Sequence, residues 1–449
     1  MDTNTPPSTH SGLTDKARHD VLERVLKALE SKFYKPELLG QDWQNSVASH
    51  RATIESAATA DAFEQAMMDL LQTLKTSHLG FFHGAARRAS SRAALSATYL
   101  SDETAYGSRW IFQDVHDGGA AAVAGVEPGN ILLRVDGKEI VPPEHPVFPM
   151  GKTSNLDIVA NDGKERSVVV NVARPKGKKL HFVEPTLVQS KKLSDRTGYL
   201  KVAMFPGMLG VEVSNAMSAA IAELGNIERL IVDLRGNTGG GAGSLRLMSL
   251  LTPDRVPVGY AADKRWATRD LSSIKASFPR LGKIPSSTRF LWLLGLRYLP
   301  AFITKSPIVL ESEGLGRKPY DGNVVLLVDR HTASAAEMVT VFAKENKLAT
   351  IVGEKTAGRL LSATSVRVGH GFRLALPTGA YYTWRGTALE GSPIEPDVIS
   401  EFDWQDRRHG NDGQFDTALK TLSAELQAGN VFSLLKKISA SERSTRLLE

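Results

Sequence analysis

The chain has 449 residues, of which 42% are hydrophobic, 23% charged and 7% aromatic. These proportions exclude a collagen-like chain, a wholly disordered chain and a multi-span membrane protein. The formal net charge of +6 is modest and its basic residues are scattered, so no nucleic-acid partner is expected. Because the chain has no cysteine, thiol nucleophiles, disulfides and thiolate metal sites are also excluded.

The N-terminal part is predicted to be helical. Apolar residues at helical spacing predict one amphipathic helix over Val21–Phe33 and a second that begins near Asp61. Residues 1–92 are interpreted as a disordered start and a helical region, with a basic, serine-rich linker over Ala85–Ser96. The first residues lack the pattern of an export signal, which predicts cytoplasmic localisation as written, or periplasmic localisation if a leader precedes them.

Residues 97–180 have the pattern of a small β module with one short helix. The turn signals Pro128-Gly129 and Asp136-Gly137 flank an apolar strand. A helix made of small residues is expected over Ala120–Ala124. We therefore expect a separate module between the helical region and the remainder of the chain.

From residue 190 onward strands and helices alternate. This alternation predicts an α/β core with a mainly parallel sheet over 190–407, followed by a C-terminal helical segment over 408–449. The predicted strands are Gly198–Phe205, Arg229–Leu234, Asn323–Asp329 and Thr350–Gly353, and the predicted helices are Val213–Leu224, Ser244–Leu251, Ala335–Lys344 and Gln414–Lys437.

Residues 265–316 do not fit this alternation and are interpreted as an insertion. Its most apolar stretch, Phe290–Ile303, is too short to span a membrane and contains Arg297 and Pro300. No transmembrane segment is expected. The stretch is apolar nearly all round, which favours buried packing over a lid, an oligomer contact or a membrane-surface anchor.

Four local patterns could support chemistry. Ser334 follows a buried strand and starts a helix, where free N–H groups can stabilise an oxyanion, although this segment alone favours an N-cap role for Ser334 or Thr332. The glycine-rich turn Asp233–Ser244 follows another strand and can present N–H groups to an anion. His78 ends a helix and Glu390 lies in a polar loop, and no metal-ligand spacing is present.

The order of these patterns resembles the C-terminal-processing (tail-specific) serine protease family. The family's Asp-Leu-Arg-x-Asn-x-Gly-Gly turn is matched at Asp233–Gly240, and its serine-bearing helix start at Thr332–Glu337. Its Gly-Glu-x-Thr-x-Gly turn and Pro-Asp-Val end are matched at Gly353–Gly358 and Pro396–Val398. The middle module resembles the PDZ domain of this family. The resemblance implies a crotonase-like, tail-specific-protease core, a β/α spiral with a mainly parallel sheet.

Two catalytic schemes occur in this family, one with a Ser–Lys dyad and one with Ser, His, Ser and Glu in the tricorn-like branch. Arg359 stands at the lysine position, and arginine stays protonated, so the sequence is closer to the tricorn-like branch. That branch implies Ser334 as nucleophile, His78 as base, and Ser77 and Glu390 as orienting groups. The amides of Ala335 and of Gly239 or Gly240 would form the oxyanion hole, and Lys355 and His370 are alternative bases.

The sequence therefore predicts a serine endopeptidase that cleaves unfolded or C-terminally exposed peptides through an acyl-enzyme. Its PDZ-like module would bind or gate substrates by pairing with an extended peptide. Tyr106–Arg109 stands where that domain's carboxylate-binding loop is usual. No cofactor is expected, and a homo-oligomer is left open. The alternatives are a non-catalytic peptide- or ligand-binding protein on the same fold, and an acyl-CoA enzyme of the crotonase-like fold.

Overall fold

The structure is a computed structural model. It describes residues 13–84, 88–173, 184–266, 269, 271, 273–285, 287, 291–304, 306–316 and 322–424. The expected disordered start, most of the expected C-terminal helical segment after residue 424 and the end of the 97–180 module fall outside these residues.

The N-terminal region consists of three helices and one strand. Thr14 and Thr59 cap the first and third helices with their hydroxyl groups, which accept main-chain N–H groups. The middle helix was not anticipated from the sequence. The elements are α1 (Asp15–Lys32), α2 (Gln41–Glu55), α3 (Ala60–Gln72) and β1 (Gly80–His83).

The second region is a β module. Five strands lie in the order β3-β4-β5-β8-β9, with β6 paired to β5, and every pairing is antiparallel. A separate pair joins β2 and β7. Its elements are β2 (Arg88–Ser90), α4 (Ser91–Leu95), β3 (Ala97–Thr104), β4 (Gly107–Val115), α5 (Ala120–Val123), β5 (Ile131–Val135), β6 (Lys138–Glu139), β7 (Val147–Pro149), β8 (Thr153–Val159) and β9 (Glu165–Asn171).

The expectation of a linker in this region is wrong. The expected linker over Ala85–Ser96 contains β2 and α4 in its described part, and Leu95 is fully buried in the hydrophobic cluster of the module. Tyr106–Arg109 is a hairpin turn followed by strand residues, with the Tyr106 N–H held by the hydroxyl of Thr104. That N–H group is therefore not presented to a substrate carboxylate.

The remaining chain forms two sheets. The first has the order β10-β11-β12-β16-β17-β20 and is parallel except for its β10–β11 pair. The elements of both sheets that follow β9, together with the helices of this part of the chain, are β10 (Val188–Ser194), β11 (Thr197–Val202), α6 (Val211–Leu224), β12 (Arg229–Asp233), α7 (Ser244–Leu251), β13 (Pro257–Asp263), β14 (Arg280–Leu281), α8 (Leu291–Thr304), β15 (Val309–Glu311), β16 (Asn323–Val328), α9 (Ala335–Glu345), β17 (Thr350–Gly353), β18 (Leu361–Gly369), β19 (Phe372–Thr383), β20 (Val398–Ile399) and α10 (Trp404–Arg408).

Helices cover both faces of this first sheet. On one face α6, α7 and α9 share a large apolar cluster with the strands, and on the other a helix over residues 413–424 contributes Ala418 and Leu422. A sheet that is buried on both faces requires strands with a continuous apolar run, such as Leu230–Val232 in β12 and Val324–Val328 in β16. This half of the molecule agrees with the expected α/β alternation.

The second sheet has the order β1-β19-β13-β15-β14, with β18 also paired to β19, and only its β14–β15 pair is parallel. The prediction of a mainly parallel sheet therefore holds for one half of the core and is wrong for the other. β13 ends just before the expected 265–316 insertion, and β14 and β15, which lie within that insertion, belong to the same sheet.

The N-terminal helices pack on the second sheet. Phe63 of α3, Phe81 of β1 and Phe372 of β19 form an aromatic cluster in which the rings of Phe81 and Phe372 stack at 4.9 Å. β1 pairs with β19 in a register that places Gly80 opposite Ala375. The residues immediately before β1 are thereby fixed at the edge of the core. No helix in the described part of the chain is long and apolar enough to cross a membrane.

Candidate active site

Ser334 occupies a strained turn between β16 and α9. Its backbone has φ +55° and ψ −121°, a combination that non-glycine residues rarely adopt and that occurs mainly where surrounding contacts enforce it. Its N–H group donates to the carbonyl of Arg359 at 3.0 Å and to Oε2 of Glu337 at 3.0 Å. These contacts hold the main chain at Ser334 and fix the direction in which its side chain leaves.

Glu337 is the main polar anchor of this turn. Besides Ser334, its buried carboxylate accepts the N–H groups of Gly358 at 2.7 Å and Arg359 at 2.9 Å and the hydroxyl of Thr356 at 2.6 Å. Burial raises the pKa of Glu337, and its four donors act in the opposite direction. One side chain therefore joins the start of α9 to the loop over Thr356–Arg359.

Asp329 joins the serine turn to the glycine-rich turn. Its carboxylate accepts the N–H groups of His331, Thr332 and Gly236 at 2.8–3.1 Å. The N–H group of Ala333 in turn donates to the carbonyl of Asn237 at 3.0 Å. The two turns that follow the neighbouring strands β12 and β16 are therefore one hydrogen-bonded unit.

Gly239 lies directly against the serine turn. It has φ +91°, and a Cβ atom at this position would lie 2.6 Å from both Ala333 O and Ser334 Cβ. Only glycine satisfies both the conformation and the close approach. Its N–H group donates to Oδ1 of Asn237 at 2.8 Å. The sequence analysis names Gly239 or Gly240 as an oxyanion donor. Because the N–H group of Gly239 already donates to Asn237, the structure favours Gly240.

Two other N–H groups next to Ser334 have no acceptor within the described parts of the chain, those of Gly240 and Ala335. Ala335 is the first residue of α9, where main-chain N–H groups have no partner inside the helix and the helix dipole adds positive potential. These two N–H groups are therefore the candidates for the donors of an oxyanion hole.

Ser77 joins His78 to Glu390. Its hydroxyl oxygen lies 2.7 Å from Nδ1 of His78 and 2.7 Å from Oε2 of Glu390. A hydroxyl has one proton and a carboxylate only accepts, so Ser77 donates to Glu390 and accepts from the Nδ1–H of His78. The imidazole then carries its proton on Nδ1, and Nε2 keeps the lone pair that can accept another.

Glu390 is itself held by the main chain. Its carboxylate accepts the N–H group of Ser77 at 2.7 Å and that of Leu360 at 3.1 Å. Leu360 follows the loop that Glu337 organises. The base side and the nucleophile side of the site are therefore connected through Arg359 and Leu360.

The pKa of His78 is lowered from its ordinary value. Burial is the main cause, the nearby positive charge of Arg359 adds to it, and the carboxylate of Glu390 opposes it. Since a free histidine titrates near pH ~6.5, His78 is neutral at pH 7. A neutral imidazole with a directed Nε2 lone pair is the form that a general base requires.

Ser334 and His78 line the same cavity, which has a volume of about 1310 Å³. Within the described residues no hydrogen bond joins the two side chains. Such bonds are often long or unformed before substrate binds. Thr238 and Gly240 line the same space. Most of the remaining wall is apolar, including Met204, Phe205, Met208, Trp266, Leu281, Ala301, Ile308, Leu310, Met338, Leu360 and Tyr381.

The two alternative bases lie elsewhere. Lys355 is exposed and forms an ion pair with Glu395 at 2.7 Å. His370 is exposed in the turn between β18 and β19, with φ +47°. Neither lines the cavity, and the structure therefore favours His78 among the three candidate bases.

The sequence analysis assigns no role to Asp329, Glu337 or Asn237, although Glu337 and Asn237 lie within the quoted motifs and Asp329 ends a predicted strand. A signal for Glu337 was present, because a glutamate three residues after a helix N-cap is the capping-box spacing. Asp329 follows a buried strand and precedes a threonine by three residues, a spacing at which an aspartate commonly accepts turn N–H groups. The role of Asn237 depends on the direction of one side chain, which no spacing indicates.

The β module contacts the outer side of the serine turn. Gln113 of β4 donates its side-chain amide to Glu354 at 3.2 Å and to Asp329 at 3.4 Å. Nε2 of His331 lies 3.0 Å from the carbonyl oxygen of Tyr99 in β3. A displacement of the module would therefore be transmitted to residues that adjoin Ser334.

Comparison with known proteins supports a peptidase. Residues 196–400 match the model of peptidase family S41. The chain is 23% identical over 430 residues to the putative tricorn protease homolog 2 of Streptomyces coelicolor, covering 87% of this chain and 31% of that protein. It is 27% identical over 182 residues to the carboxy-terminal-processing protease of Bartonella bacilliformis, covering 34% of this chain and 41% of that protein.

The chain thus spans less than half the length of both curated relatives. Among solved structures, the photosystem II D1 C-terminal processing protease superposes with a TM-score of 0.53 at 17% identity, covering 86% of this chain and 93% of that one. This likeness supports a shared mixed α/β fold. Together, the match over residues 196–400 and the curated relatives show that this part of the chain is similar to peptidases of family S41.

Proposed function

We propose that this chain is a serine endopeptidase in which Ser334 is the nucleophile and His78 the general base. The observation that carries the proposal is the assembly around one cavity of a serine on a strained turn, the glycine-rich turn at Gly240 and an imidazole oriented by Ser77. None of these three features is needed to stabilise a fold, and the strained turn costs stability.

In the proposed reaction the Ser334 hydroxyl attacks the scissile carbonyl while Nε2 of His78 takes its proton. The carbonyl oxygen becomes an oxyanion, which the N–H groups of Gly240 and Ala335 stabilise. His78 then protonates the leaving amine, the peptide bond breaks and an acyl-enzyme remains on Ser334. A water molecule, deprotonated by His78, then attacks the acyl ester. The ester bond breaks, the N-terminal fragment leaves with a new carboxyl terminus, and His78 returns the proton to the Ser334 oxygen.

Ser77 and Glu390 are proposed to orient and stabilise the imidazole. When His78 becomes positively charged, its Nδ1–H bond to Ser77 is polarised towards the Glu390 carboxylate. This arrangement favours the imidazolium in the transition state without moving the second proton. The scheme corresponds to the tricorn-like branch and assigns no base role to Arg359.

The proposed substrates are unfolded or C-terminally exposed polypeptides. The cavity is large enough for several side chains, and its mostly apolar wall favours segments that are buried in folded proteins. The β module is proposed to be PDZ-like and to pair an extended substrate segment along an edge strand of its sheet, β3 or β9. Its contact with the serine turn would couple such binding to Ser334.

The test is cleavage of an intrinsically unfolded protein, with fragments identified by mass spectrometry. The wild type should produce fragments, Ser334→Ala should produce none, and Ser362→Ala should behave as the wild type, because Ser362 lines the same cavity without a catalytic role. Equal cleavage by the wild type and Ser334→Ala would refute the assignment of the nucleophile. Binding of the unfolded protein without cleavage by any variant would favour a non-catalytic peptide-binding protein.

A further inference from the structure

Helix α8 is attached to the core through one face. Tyr298 and Ala301 are buried, and the hydroxyl of Tyr298 donates to the carbonyl of Arg280 in β14 at 2.6 Å. Ala301 also lines the cavity that contains Ser334. α8 is therefore part of the wall of the candidate active site.

The opposite face of α8 is apolar and exposed. Leu296, Leu299 and Ile303 are 60%, 49% and 72% exposed, respectively. At ~100° per residue their side chains fall within a sector of ~60°, roughly opposite the buried Tyr298 and Ala301. The expectation that Phe290–Ile303 would be buried all round is therefore wrong for these three positions, which we call the apolar stripe.

The surrounding sequence is strongly basic. Residues 271–310 contain six lysines and arginines and no aspartate or glutamate. Of these, Lys283 and Arg297 are exposed, and Arg297 lies on α8 beside the apolar stripe. Glu311 at the border of this segment pairs with Arg280 at 2.7 Å, so it does not offset the charge of Lys283 or Arg297.

We propose that α8 is a membrane-surface helix, which inserts its apolar stripe into the headgroup boundary of an anionic bilayer while the basic side chains contact the lipid phosphates. An exposed apolar stripe on a helix whose own segment, residues 271–310, has cationic and no anionic side chains is the arrangement that binds such surfaces. A second copy of this chain would bring the same positive segment against this one, which disfavours self-association. Because the inner face of α8 lines the cavity, docking would bring the peptidase site to the membrane surface.

The test is co-sedimentation of the full chain with vesicles of phosphatidylcholine alone and of phosphatidylcholine with 30% phosphatidylglycerol. The wild type should bind the anionic vesicles at least tenfold more tightly than the neutral ones. The stripe variant Leu296→Ser/Leu299→Ser/Ile303→Ser should lose at least tenfold in anionic-vesicle affinity. The matched control Val123→Ser/Val169→Ser replaces exposed valines of the β module and should bind as the wild type.

Charge and activity provide independent readouts. Arg297→Glu should weaken binding to anionic vesicles, and added salt should weaken wild-type binding. Ser334→Ala should bind vesicles as the wild type does, so a failure of the proposed catalytic role would not affect this result. Cleavage of a soluble peptide by the stripe variant should be unchanged, and its circular dichroism and thermal unfolding should match the wild type.

Three outcomes would overturn the proposal. The first is equal vesicle binding by the wild type and the stripe variant, or none by either. The second is a change in molecular mass by sedimentation equilibrium on substitution of the stripe, which would assign it to a contact between copies. The third is loss of unfolded-protein cleavage with vesicle binding retained, which would assign the stripe to substrate docking.

Discussion

The two sides of the candidate site are built in different ways. On the nucleophile side, Ser334, its anchors Asp329 and Glu337 and the loop that ends at Arg359 come from one continuous stretch, with only the glycine-rich turn added from the neighbouring strand. On the base side, Ser77 and His78 meet Glu390, 313 residues away from Ser77 in the chain. Here the position of the base depends on the pairing of β1 with β19 rather than on local hydrogen bonds.

Because of this difference, the two sides of the site should respond to different kinds of substitution. The nucleophile is fixed by several short hydrogen bonds around a strained backbone, so a small steric change there acts directly on the reacting atoms. The base is held by one chain of bonds, from His78 through Ser77 to Glu390, and its function depends on which nitrogen carries the proton. Substitutions on that side should change the pH dependence and the rate more than the geometry.

The largest effect is expected from removing the base. His78→Asn should lower kcat by about 10³-fold, because general-base catalysis contributes 10²–10⁴-fold and asparagine cannot accept the proton. His370→Asn is the matched control, since both histidines have positive φ, at +59° and +47°, which asparagine tolerates. Initial rates on a fluorescently labelled unfolded protein measure both. An equal loss in the two variants would contradict the assignment of His78.

The second-largest loss of kcat is expected from a steric change on the nucleophile side. Gly239→Ala places a Cβ atom 2.6 Å from Ser334 Cβ and should displace the serine turn, which lowers kcat by about 10²-fold or more. Gly163→Ala has a similar positive φ of +81° but open space around the new Cβ atom. It should cost stability without affecting kcat. If both variants lose the same activity, backbone strain rather than contact with Ser334 explains the effect.

Loss of the carboxylate on the base side should have a smaller effect. In Glu390→Gln the amide can turn its N–H group towards Ser77, which then no longer orients the Nδ1–H tautomer of His78. We expect kcat to fall by about 10²-fold, since the carboxylate acts through an intervening hydroxyl rather than directly. Glu395→Gln, which removes an exposed carboxylate paired with Lys355, should retain wild-type rates. A wild-type rate for Glu390→Gln would exclude the proposed role.

The smallest expected effect is a shift in pH dependence. Arg359 lowers the pKa of His78, because its positive charge disfavours a protonated imidazole. Removing that charge in Arg359→Gln should raise the pKa, so the acid limb of the kcat/KM profile moves to higher pH. Arg359→Lys keeps the charge and should leave the limb in place. A shift to lower pH in Arg359→Gln, or the same shift in both variants, would contradict this electrostatic role.

Much of the nucleophile side could be predicted from the sequence. Buried strands followed by a helix start and by a glycine-rich turn place Ser334 and Gly240 at the same edge of a parallel sheet, as the structure shows. The choice between Gly239 and Gly240 could not be made, because it depends on the Asn237 side chain that accepts the Gly239 N–H group. The resemblance of short motifs, rather than any physical pattern, brought Ser77, His78 and Glu390 into consideration.

The second sheet was harder to foresee. Its strands β13, β18 and β19 have little regular alternation, and β1 pairs with a strand that is far away in the sequence, with Gly80 opposite Ala375. The exposure of α8 could not be predicted either, because the sequence of an apolar helix has the same pattern whether another surface covers its outer face or not. The strand pairing and the exposure of α8 both depend on which surfaces of the protein contact each other, and the pattern of a single sequence does not contain that information.

By itself, the sequence determined the local elements of this protein: the apolar strands of the parallel sheet, the helices over them, the β module and the turns that hold Ser334 and the glycines. These follow from hydrophobic period and turn chemistry, which act over a few residues. Only the tertiary structure decided that β1 pairs with β19, that His78 is buried beside Ser77 and Glu390 with a lowered pKa, and that α8 exposes an apolar stripe. These depend on burial, charge and hydrogen-bond direction, which are set by residues far apart in the chain.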